Sequence, residues 1–529
     1  MNHFAASPPN RKILFGIILA AIVMRLGVIL LFHPPVISDA KEYDAIARSL
    51  VRGDGFNVEG NPTAYRLPGY PLLLAAAYGV FGDSDLPIKI LQALADVLSC
   101  FLLFSIGKKL FSEKIGLTAA AILAVFPIQV LYVPLLMTET IFTTILLLIV
   151  WVAVVEDVPA QFIILGVLTG LGMLLRSTAA CLPFVIFLNR WRCSISFRTN
   201  VRSLIVIAAA ALITVSPWIA RNYIQFHTLS FTSNGGVNFW IGNHHGANGT
   251  FSFPKENNPL EAAKDEFDRS QLGYKLGFEF IATHPFELVV LEGKKVAHFF
   301  AADYWLLMVM DYKPEWASLQ RASAIYSQFS PADVIVLHLP YVVVILVGTF
   351  GLVCPAGKDE KKFFFLRSLL LFWLTMHLIF YAGARYRFPV VPIFILAAAY
   401  AWYVVRENSF QRTKLRLLLF AFLCLLYFAG WLGEYFMVRS KAAGIQSVTE
   451  QVLIKNLRNF DPPNPSRSQR VSKTAIVYLT NRFSFCILYP LNQTKDTTYE
   501  TQQINPQRTC TQQSQKRRSK GIARRSPVG

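Results

Sequence analysis

The sequence predicts an all-α integral membrane protein, a helical bundle that crosses the bilayer many times. Of its 529 residues, 54% are hydrophobic and the mean hydropathy is +0.42, which is more apolar than a soluble chain of this length. Apolar runs recur along the chain, and about 20 apolar residues suffice to cross a bilayer. Short basic segments separate several of these runs, as is typical of cytoplasmic loops.

The formal net charge of +19 is unevenly distributed. Residues 441–529 carry 15 Lys and Arg against 4 Asp and Glu, and no basic folded module elsewhere indicates nucleic-acid binding. Attraction to anionic lipid headgroups is the more natural interpretation. We therefore divide the chain into a membrane domain, residues 1–436, and a basic, polar, largely disordered extracytoplasmic tail, residues 437–529, in which Cys486 and Cys510 can pair outside the cytoplasm.

The first apolar run, Ile13–Phe32, follows Arg11 and Lys12 and is interpreted as a retained helix with a cytoplasmic N-terminus. Arg25 lies inside it, far from both ends. A charge within a membrane is costly and normally faces protein or water, so we expect Arg25 to point inward.

The outer loop that follows, residues 33–71, contains apolar residues at helical spacing over Ala40–Arg52. This pattern predicts a short amphipathic helix on the membrane surface. Pro71–Phe81 is a second apolar piece, too short to cross the bilayer comfortably.

The apolar runs predict about eleven spans, two of which, Gln161–Leu175 and Thr178–Leu188, are short and can merge or tilt. The other nine are Ile13–Phe32, Leu86–Ile106, Ile115–Val133, Leu135–Val155, Leu204–Ala220, Val334–Cys354, Phe363–Tyr381, Phe388–Val405 and Leu415–Tyr435. Basic connections such as KKLFSEK and RENSFQRTKLR fall on the cytoplasmic side. A large outer loop, 221–331, ends in an amphipathic stretch, Gly273–Phe300, that Pro285 interrupts.

This topology places Asp39, Glu139, Arg221 and Arg385 on one face, the outer one. Asp39 follows the first span, and a partly desolvated carboxylate there suits a general base that takes a proton from a hydroxyl. Asp39-x-x-Glu42 is also typical of a capping box with Asp39 as N-cap. The two interpretations are equally supported and do not exclude each other.

Arg66 stands in TAYRLPGYP, where prolines and a glycine fix the backbone, and a guanidinium there can hold a phosphate with two aligned donors. The alternative is an interfacial arginine that binds bulk headgroups. Glu139, in LLMTETIF, puts a carboxylate into an apolar span, which is costly unless it is used or paired. Compensation of a helix dipole is the alternative for Glu139.

Two arginines straddle a tyrosine in YAGARYRFPVVP: Arg385, Tyr386 and Arg387, which can together clamp a phosphate. A snorkelling pair at a helix start is the alternative. Arg221 in SPWIARNY and Arg176 in LLRST are weaker candidates of the same kind. Tyr43 and Tyr65, together with Glu42, are expected to support the site.

No metal ligand is assigned from the sequence. Asp83-Ser-Asp85 matches the short DxD motif, which is too brief to indicate a metal. His244-His245 has no acid at ligand spacing, so we expect no metal there.

In order along the chain, SDAKEYDAIARSLVRGDGF, YRLPGYPLLLAA, PLLMTETIF, PWIARNY with NGGVNFWIGN, and RYRFPVVP resemble segments of bacterial GT-C fold glycosyltransferases. These include the protein O-mannosyltransferase-like group and the lipid A aminoarabinose and galacturonic acid transferases. The resemblance covers about residues 12–436. The basic tail has no counterpart.

The resemblance implies a GT-C-like bundle that takes a sugar from a polyprenyl-phosphate donor and transfers it, with inversion, on the extracytoplasmic face of the cell membrane. It implies that the family's first-loop acid falls on Asp39, its acid at the start of the fourth span on Glu139, and its basic residue before the Pro-rich turn on Arg66. Our hypothesis is that Asp39 is the catalytic base and that Glu139 orients the base or the acceptor. In this hypothesis Arg66, Arg385 and Arg387 grip the donor phosphate. The adjacent acid pair of the protein mannosyltransferase branch is absent, because Ala40 follows Asp39, and this favours a lipid or glycan acceptor over a protein. A divalent metal is possible, since dependence on one varies in the family.

Two other classes stay open. A transporter or lipid flippase requires charges near the bilayer midplane and often inverted halves, whereas most acids here lie at the ends of spans. A non-catalytic subunit for envelope polysaccharide assembly would tolerate substitution of the carboxylates in the first outer loop.

Overall fold

The computed structural model describes residues 8–154, 160–193, 195–252, 258–310, 331–410 and 413–433. All of these belong to one compact unit, residues 1–451. The tail 437–529, with Cys486 and Cys510, lies outside the described residues.

The regular structure of the described residues is almost entirely helical. The exception is a short β-hairpin, in which two strands of two residues each, β1 (Asn57–Val58) and β2 (Asn61–Pro62), pair antiparallel. The first nine α-helices are α1 Pro8–Leu31, α2 Asp39–Val51, α3 Gly69–Phe81, α4 Leu86–Leu110, α5 Glu113–Ala124, α6 Pro127–Leu131, α7 Glu139–Val154, α8 Gln161–Leu175 and α9 Leu182–Arg192. The rest are α10 Phe197–Phe226, α11 Gly235–Gly242, α12 Glu266–Thr283, α13 Pro285–Phe300, α14 Tyr304–Met310, α15 Pro331–Val353, α16 Glu360–Ile379, α17 Val391–Arg406 and α18 Lys414–Gly433. Short 3₁₀ segments include Ser177–Cys181 and Ala384–Val390.

The prediction of an all-α membrane protein is confirmed, whereas the count of eleven spans is not. Within the described residues, six helical stretches are long and apolar enough to cross a bilayer: Asn10–Leu31, Leu86–Leu110, Phe197–Phe226, Gly357–Ile379, Ala384–Arg406 and Lys414–Gly433. Shorter apolar helices include α7, α8 and the C-terminal part of α15. The helix predicted over Ala40–Arg52 is present as α2, and the amphipathic stretch is interrupted at Pro285, both to within a few residues of the prediction.

One predicted span, Ile115–Val133, is wrong as a continuous helix. The chain turns between α5 and α6 at Phe126-Pro127, where Phe126 has extended backbone angles. Proline disfavours the helical conformation of the preceding residue and donates no backbone hydrogen bond. The apolar composition continues across the break, so hydropathy alone cannot reveal it.

Small residues let the helices of the bundle cross closely. A Cβ at Gly166 of α8 would lie 2.5 Å from the Ala210 side chain of α10, and one at Gly170 would lie 2.5 Å from that of Thr214. Close contacts of this kind replace the hydrophobic driving force that is missing between helices in lipid.

A buried ion pair joins the first and fourth helices. Arg25 of α1 donates from Nε to Asp96 Oδ2 at 2.8 Å, and both side chains are fully buried. The guanidinium also donates to the backbone carbonyls of Leu123 and Ala124, near the end of α5. The inward orientation expected for Arg25 is therefore confirmed, and its partners are structural.

Candidate functional site

Asp39 is the first residue of α2 and faces two arginines. Its carboxylate accepts from Arg66 Nη2 at Oδ1, 2.9 Å away, and from Arg385 Nη2 at Oδ2, 2.6 Å away. All three side chains are less than one fifth exposed. Residues 346 positions apart in sequence thus meet in one charged cluster, which we call the Asp39 cluster: Asp39, Glu42, Arg66 and Arg385.

The capping-box interpretation of Asp39 is wrong. Ser38 is the N-cap residue, and its side chain makes no capping hydrogen bond. Glu42 accepts from Arg66 Nε at 2.7 Å rather than reaching back to the start of the helix. The backbone of Ser38 has a φ of 56°, a strained conformation for a non-glycine residue, and such strain is commonly found at functional sites.

The ionised form of the Asp39 carboxyl group is strongly favoured over the protonated form. Burial by itself would raise the pKa of Asp39, but Arg385 and Arg66 outweigh that effect and hold it well below the usual range. Asp39 is therefore ionised at any working pH. While both arginines are bound to it, the carboxylate is a weak base.

Aromatic rings enclose both arginines. The guanidinium of Arg66 lies over Tyr43 and Tyr65, at 5.6 and 5.3 Å from the ring centroids. Arg385 lies over Tyr386 at 5.1 Å and over Trp305 at 5.8 Å. Burial raises the pKa values of Tyr43 and Tyr65, so both phenols stay neutral. These contacts fix the two cations where an anionic ligand can meet them.

Glu139 lies at the start of α7, fully buried, and pairs with Arg176 Nη2 at 2.5 Å. Arg176 also donates from Nε to Thr138 Oγ1 at 3.0 Å and lies over the Tyr386 ring at 5.8 Å. Tyr386 in turn accepts from Arg385 at 3.3 Å. Arg176 and Tyr386 therefore connect Glu139 to the Asp39 cluster, and sequence analysis underestimated Arg176, whose only signal was its position at the end of an apolar run.

Arg387 does not join the cluster. It is buried, donates to the backbone carbonyls of Phe299 and Ala301, and stacks over Tyr341 at 4.0 Å. In a 3₁₀ turn successive side chains are about 120° apart, so residues two apart, such as Arg385 and Arg387, point in different directions. The expected clamp of Arg385 and Arg387 is therefore not formed, and of these two residues Arg385 alone can bind a phosphate next to Arg66.

Arg221 positions the loop of residues 33–71. From the end of α10 it donates to the carbonyls of Thr63 and Phe56 at 2.8 and 2.9 Å. Glu266, which sequence analysis did not single out, accepts from Thr63 Oγ1 at 2.8 Å and from the Ala64 backbone at 2.7 Å. Asn234 donates to the Tyr65 carbonyl at 2.7 Å. Together these contacts from distant helices hold the backbone on either side of Arg66.

The Asp39 cluster does not fit a resident divalent metal. Each oxygen of Asp39 already accepts from a guanidinium, and Glu42 and Glu139 are also paired with arginines. Among the described residues, a group with the composition of a metal site lies elsewhere, at His245, His284 and Glu287. Sequence spacing gave His244-His245 no partner acid, but in the fold Glu287, 42 residues away, lies against His245.

Residues 62–220 match the family model described as dolichyl-phosphate-mannose-protein mannosyltransferase. The matched segment contains Arg66, Glu139 and Arg176, and confirms there the resemblance seen in the sequence motifs. No curated protein sequence matches the chain.

Solved structures similar to the chain include two enzymes with low sequence identity. The oligosaccharyltransferase AglB from Archaeoglobus fulgidus, in complex with an inhibitory peptide and a dolichol-phosphate, is 13% identical with a TM-score of 0.41, over 82% of this chain and 55% of AglB. AglB in complex with Zn and sulfate is 14% identical with a TM-score of 0.43, over 93% of this chain and 59% of AglB. ArnT from Cupriavidus metallidurans, bound to undecaprenyl phosphate, is 10% identical with a TM-score of 0.39, over 74% of this chain and 77% of ArnT. The chain thus spans little more than half the length of AglB, and at these TM-scores no residue correspondences are assigned.

Proposed function

We propose that the protein is a membrane glycosyltransferase that takes a sugar from a polyprenyl-phosphate donor. The acceptor is an envelope lipid, glycan or protein, and the reaction takes place on the extracytoplasmic face of the cell membrane. The observation that carries the proposal is the pairing of Asp39, at the start of α2, with Arg66 in the loop before α3 and with Arg385 at the start of a candidate span. The family match over residues 62–220 supports a lipid-phosphate sugar donor.

In the proposed reaction, an acceptor hydroxyl attacks the anomeric carbon from the face opposite the phosphate. The bond between that carbon and the phosphate oxygen breaks, so the configuration inverts, and polyprenyl phosphate leaves with the bonding electrons. Asp39 receives the hydroxyl proton as general base. Arg66 and Arg385 offset the charge of the leaving phosphate with charge-assisted hydrogen bonds.

The pairing itself suggests how a weakly basic carboxylate can serve as base. A donor phosphate that draws the two guanidinium groups toward itself removes the charges that hold the pKa of Asp39 down. Asp39 then becomes more basic only when the donor is bound. Glu139, through Arg176 and Tyr386, keeps Arg385 oriented or orients the acceptor.

The proposal is tested in cells by mass spectrometry of envelope lipids and glycans. We expect a strain that lacks the protein to lose one sugar from a defined envelope molecule, and Asp39→Asn not to restore it. Asp54→Asn is the matched control, because Asp54 lies in the same outer loop and pairs only with the exposed Arg52 among the contacts described. An unchanged envelope in the deletion strain, or restoration by Asp39→Asn at normal protein levels, would contradict the proposal.

A further inference from the structure

Two histidines and a glutamate that are not part of the Asp39 cluster come together: His245, His284 and Glu287. His245 lies in the turn after α11, while His284 and Glu287 lie at the junction of α12 and α13. One potential ligand atom from each lies within 4.8 Å of the other two. His245 Nδ1 is 3.1 Å from Glu287 Oε2.

The local sequence explains why these side chains meet. Pro285 opens α13 and leaves His284 as its N-cap residue, so His284 and Glu287 stand three positions apart, on the same turn. The backbone N–H of Gly246 donates to Glu287 Oε1 at 3.4 Å, and Gly246 adopts a φ of 81° that favours glycine. The turn that carries His245 is thereby held against the start of α13.

Contacts around His284 orient its ring. The ring stacks on Phe280 with the planes 12° apart, and Thr283 Oγ1 lies 2.7 Å from Nδ1. A hydrogen bond to one ring nitrogen fixes the orientation of the other, an arrangement typical of histidines that bind metals. Nε2 of His284 is therefore the atom that can serve as ligand.

We propose that His245, His284 and Glu287 bind a divalent transition metal ion such as Zn²⁺. Two imidazoles and a carboxylate are a known three-residue ligand set for Zn²⁺, which leaves a fourth position for water or another ligand. Ligand atoms around tetrahedral Zn²⁺ stand about 3.4 Å apart, given bond lengths of about 2.0–2.1 Å. His245 and His284 are exposed, so small side-chain rotations can bring the three groups to that spacing.

The metal would link two segments that support Arg385. A few residues after His245, the carbonyl of Gly249 accepts from the backbone N–H of Ala382 at 3.0 Å. Ala382 lies just before the 3₁₀ segment that carries Arg385. On the other side, Lys295 of α13 donates to the Leu378 carbonyl at 2.7 Å and to Asn243 at 3.0 Å. The ion therefore acts as a clip that joins the turn after α11 to α13 and stiffens the scaffold behind Arg385. This site does not depend on the reaction proposed above.

The test uses the full-length protein without an affinity tag, purified in detergent, treated with EDTA and then titrated with Zn²⁺ or Co²⁺. We expect about one equivalent of metal per chain by elemental analysis, and visible Co²⁺ absorption typical of bound rather than hydrated metal. Zn²⁺ should raise the unfolding temperature, because an ion that binds only the folded state stabilises it. His284→Ala and Glu287→Gln should each weaken binding by about tenfold or more and reduce the thermal shift at the same Zn²⁺ concentration.

His33→Ala is the matched control, since His33 is an exposed histidine outside the cluster, and it should bind metal as the wild type does. Comparison of unfolding temperatures in EDTA shows whether each variant is folded. The proposal is overturned if the wild type fails to bind one equivalent at micromolar Zn²⁺. It is equally overturned if folded His284→Ala retains wild-type binding, or if His33→Ala loses it.

Discussion

At the residue scale, the proposed function depends on competition between Asp39 and the donor phosphate for Arg66 and Arg385. Both guanidinium groups donate to Asp39, and Arg66 also donates to Glu42. A lipid phosphate would offer the same guanidinium groups a second anion in a partly buried setting, where charge-assisted hydrogen bonds are strong. Substitution of the arginines and substitution of the carboxylate should therefore have different effects.

Arg66→Gln should weaken binding of a polyprenyl phosphate by about 10- to 100-fold, since a hydrogen bond to a charged group contributes about 1.5–3 kcal/mol. Binding is measured by quenching of tryptophan fluorescence or by thermal stabilisation in detergent. Arg48→Gln is the control, because Arg48 also pairs with acids, Asp44 and Asp83, but does not contact Asp39. Equal losses in the two variants would show that general positive charge, and not Arg66 itself, attracts the lipid.

The depressed pKa of Asp39 predicts a pH dependence of stability. A carboxylate whose pKa is lower in the folded state stabilises the protein above its unfolded pKa of about 3.9, and that contribution is lost as the pH falls toward the folded value. The difference in unfolding temperature between wild type and Asp39→Asn should therefore be constant from pH 5 to pH 8 and shrink below about pH 4. A difference that changes steadily between pH 5 and pH 8 would mean that the arginines do not hold the carboxylate ionised.

At the scale of single elements, much of the structure of residues 33–71 follows from the sequence. The helix at Asp39–Val51 matches the predicted amphipathic segment, and Arg66 meets Asp39 after a separation of only 27 residues. Contacts between distant helices could not be predicted in the same way. Glu139 meets Arg176, and Asp39 meets Arg385, only because of how the bundle packs, and the 3₁₀ turn that separates Arg387 from Arg385 has no clear sequence signal.

The buried ion pair of Arg25 and Asp96, between α1 and α4, predicts that a single substitution strongly lowers the stability of the protein. Asp96→Ala leaves Arg25 buried without its carboxylate, and the loss of one partner of a buried pair costs about 3–5 kcal/mol. The unfolding temperature in detergent should drop accordingly. Asp85→Ala, which removes the partner of Lys89 in the first turn of the same helix, should cost about 1 kcal/mol or less because Asp85 is 40% exposed. Similar effects for both would contradict a dry, tightly packed environment around Arg25.

Close packing of α11 against the backbone at Phe380 predicts that a substitution at Gly242 also lowers the stability. A Cβ at Gly242 would lie 1.6 Å from the Phe380 carbonyl oxygen, so Gly242→Ala must displace the backbone just before Arg385. We expect a lower unfolding temperature together with weaker lipid-phosphate binding. Gly293→Ala is the control, because no atom lies within 4 Å of its Cβ and alanine favours a helix by about 1 kcal/mol over glycine. A neutral Gly242→Ala would mean that this crossing is looser than described.

At the scale of the whole molecule, helices from both ends of the described chain converge on one charged cluster. Hydropathy predicted the class of protein and all six of the long apolar stretches among the described residues. The count of eleven crossings is not confirmed, because several apolar helices are shorter than a bilayer is thick. The alternative function, a transporter, would require charged residues inside the membrane that take part in transport. The intramembrane pair Arg25–Asp96 is closed off by backbone carbonyls and buried on all sides, which favours a structural role.

A glycosyltransferase and a lipid flippase differ in the products that they form. A glycosyltransferase releases free polyprenyl phosphate and forms a new glycosidic bond, whereas a flippase moves intact lipid. A non-catalytic subunit does neither and tolerates changes at Asp39.

The most direct measurement is transfer in vitro, with purified protein in detergent or lipid vesicles, a radiolabelled polyprenyl-phosphate sugar and extracted envelope acceptors. We predict that label moves to an acceptor with release of polyprenyl phosphate, and that folded Asp39→Asn loses activity by about 100-fold or more, in line with removal of a general base. Wild-type activity in folded Asp39→Asn, or movement of intact labelled lipid across the vesicle membrane without transfer, would contradict the account.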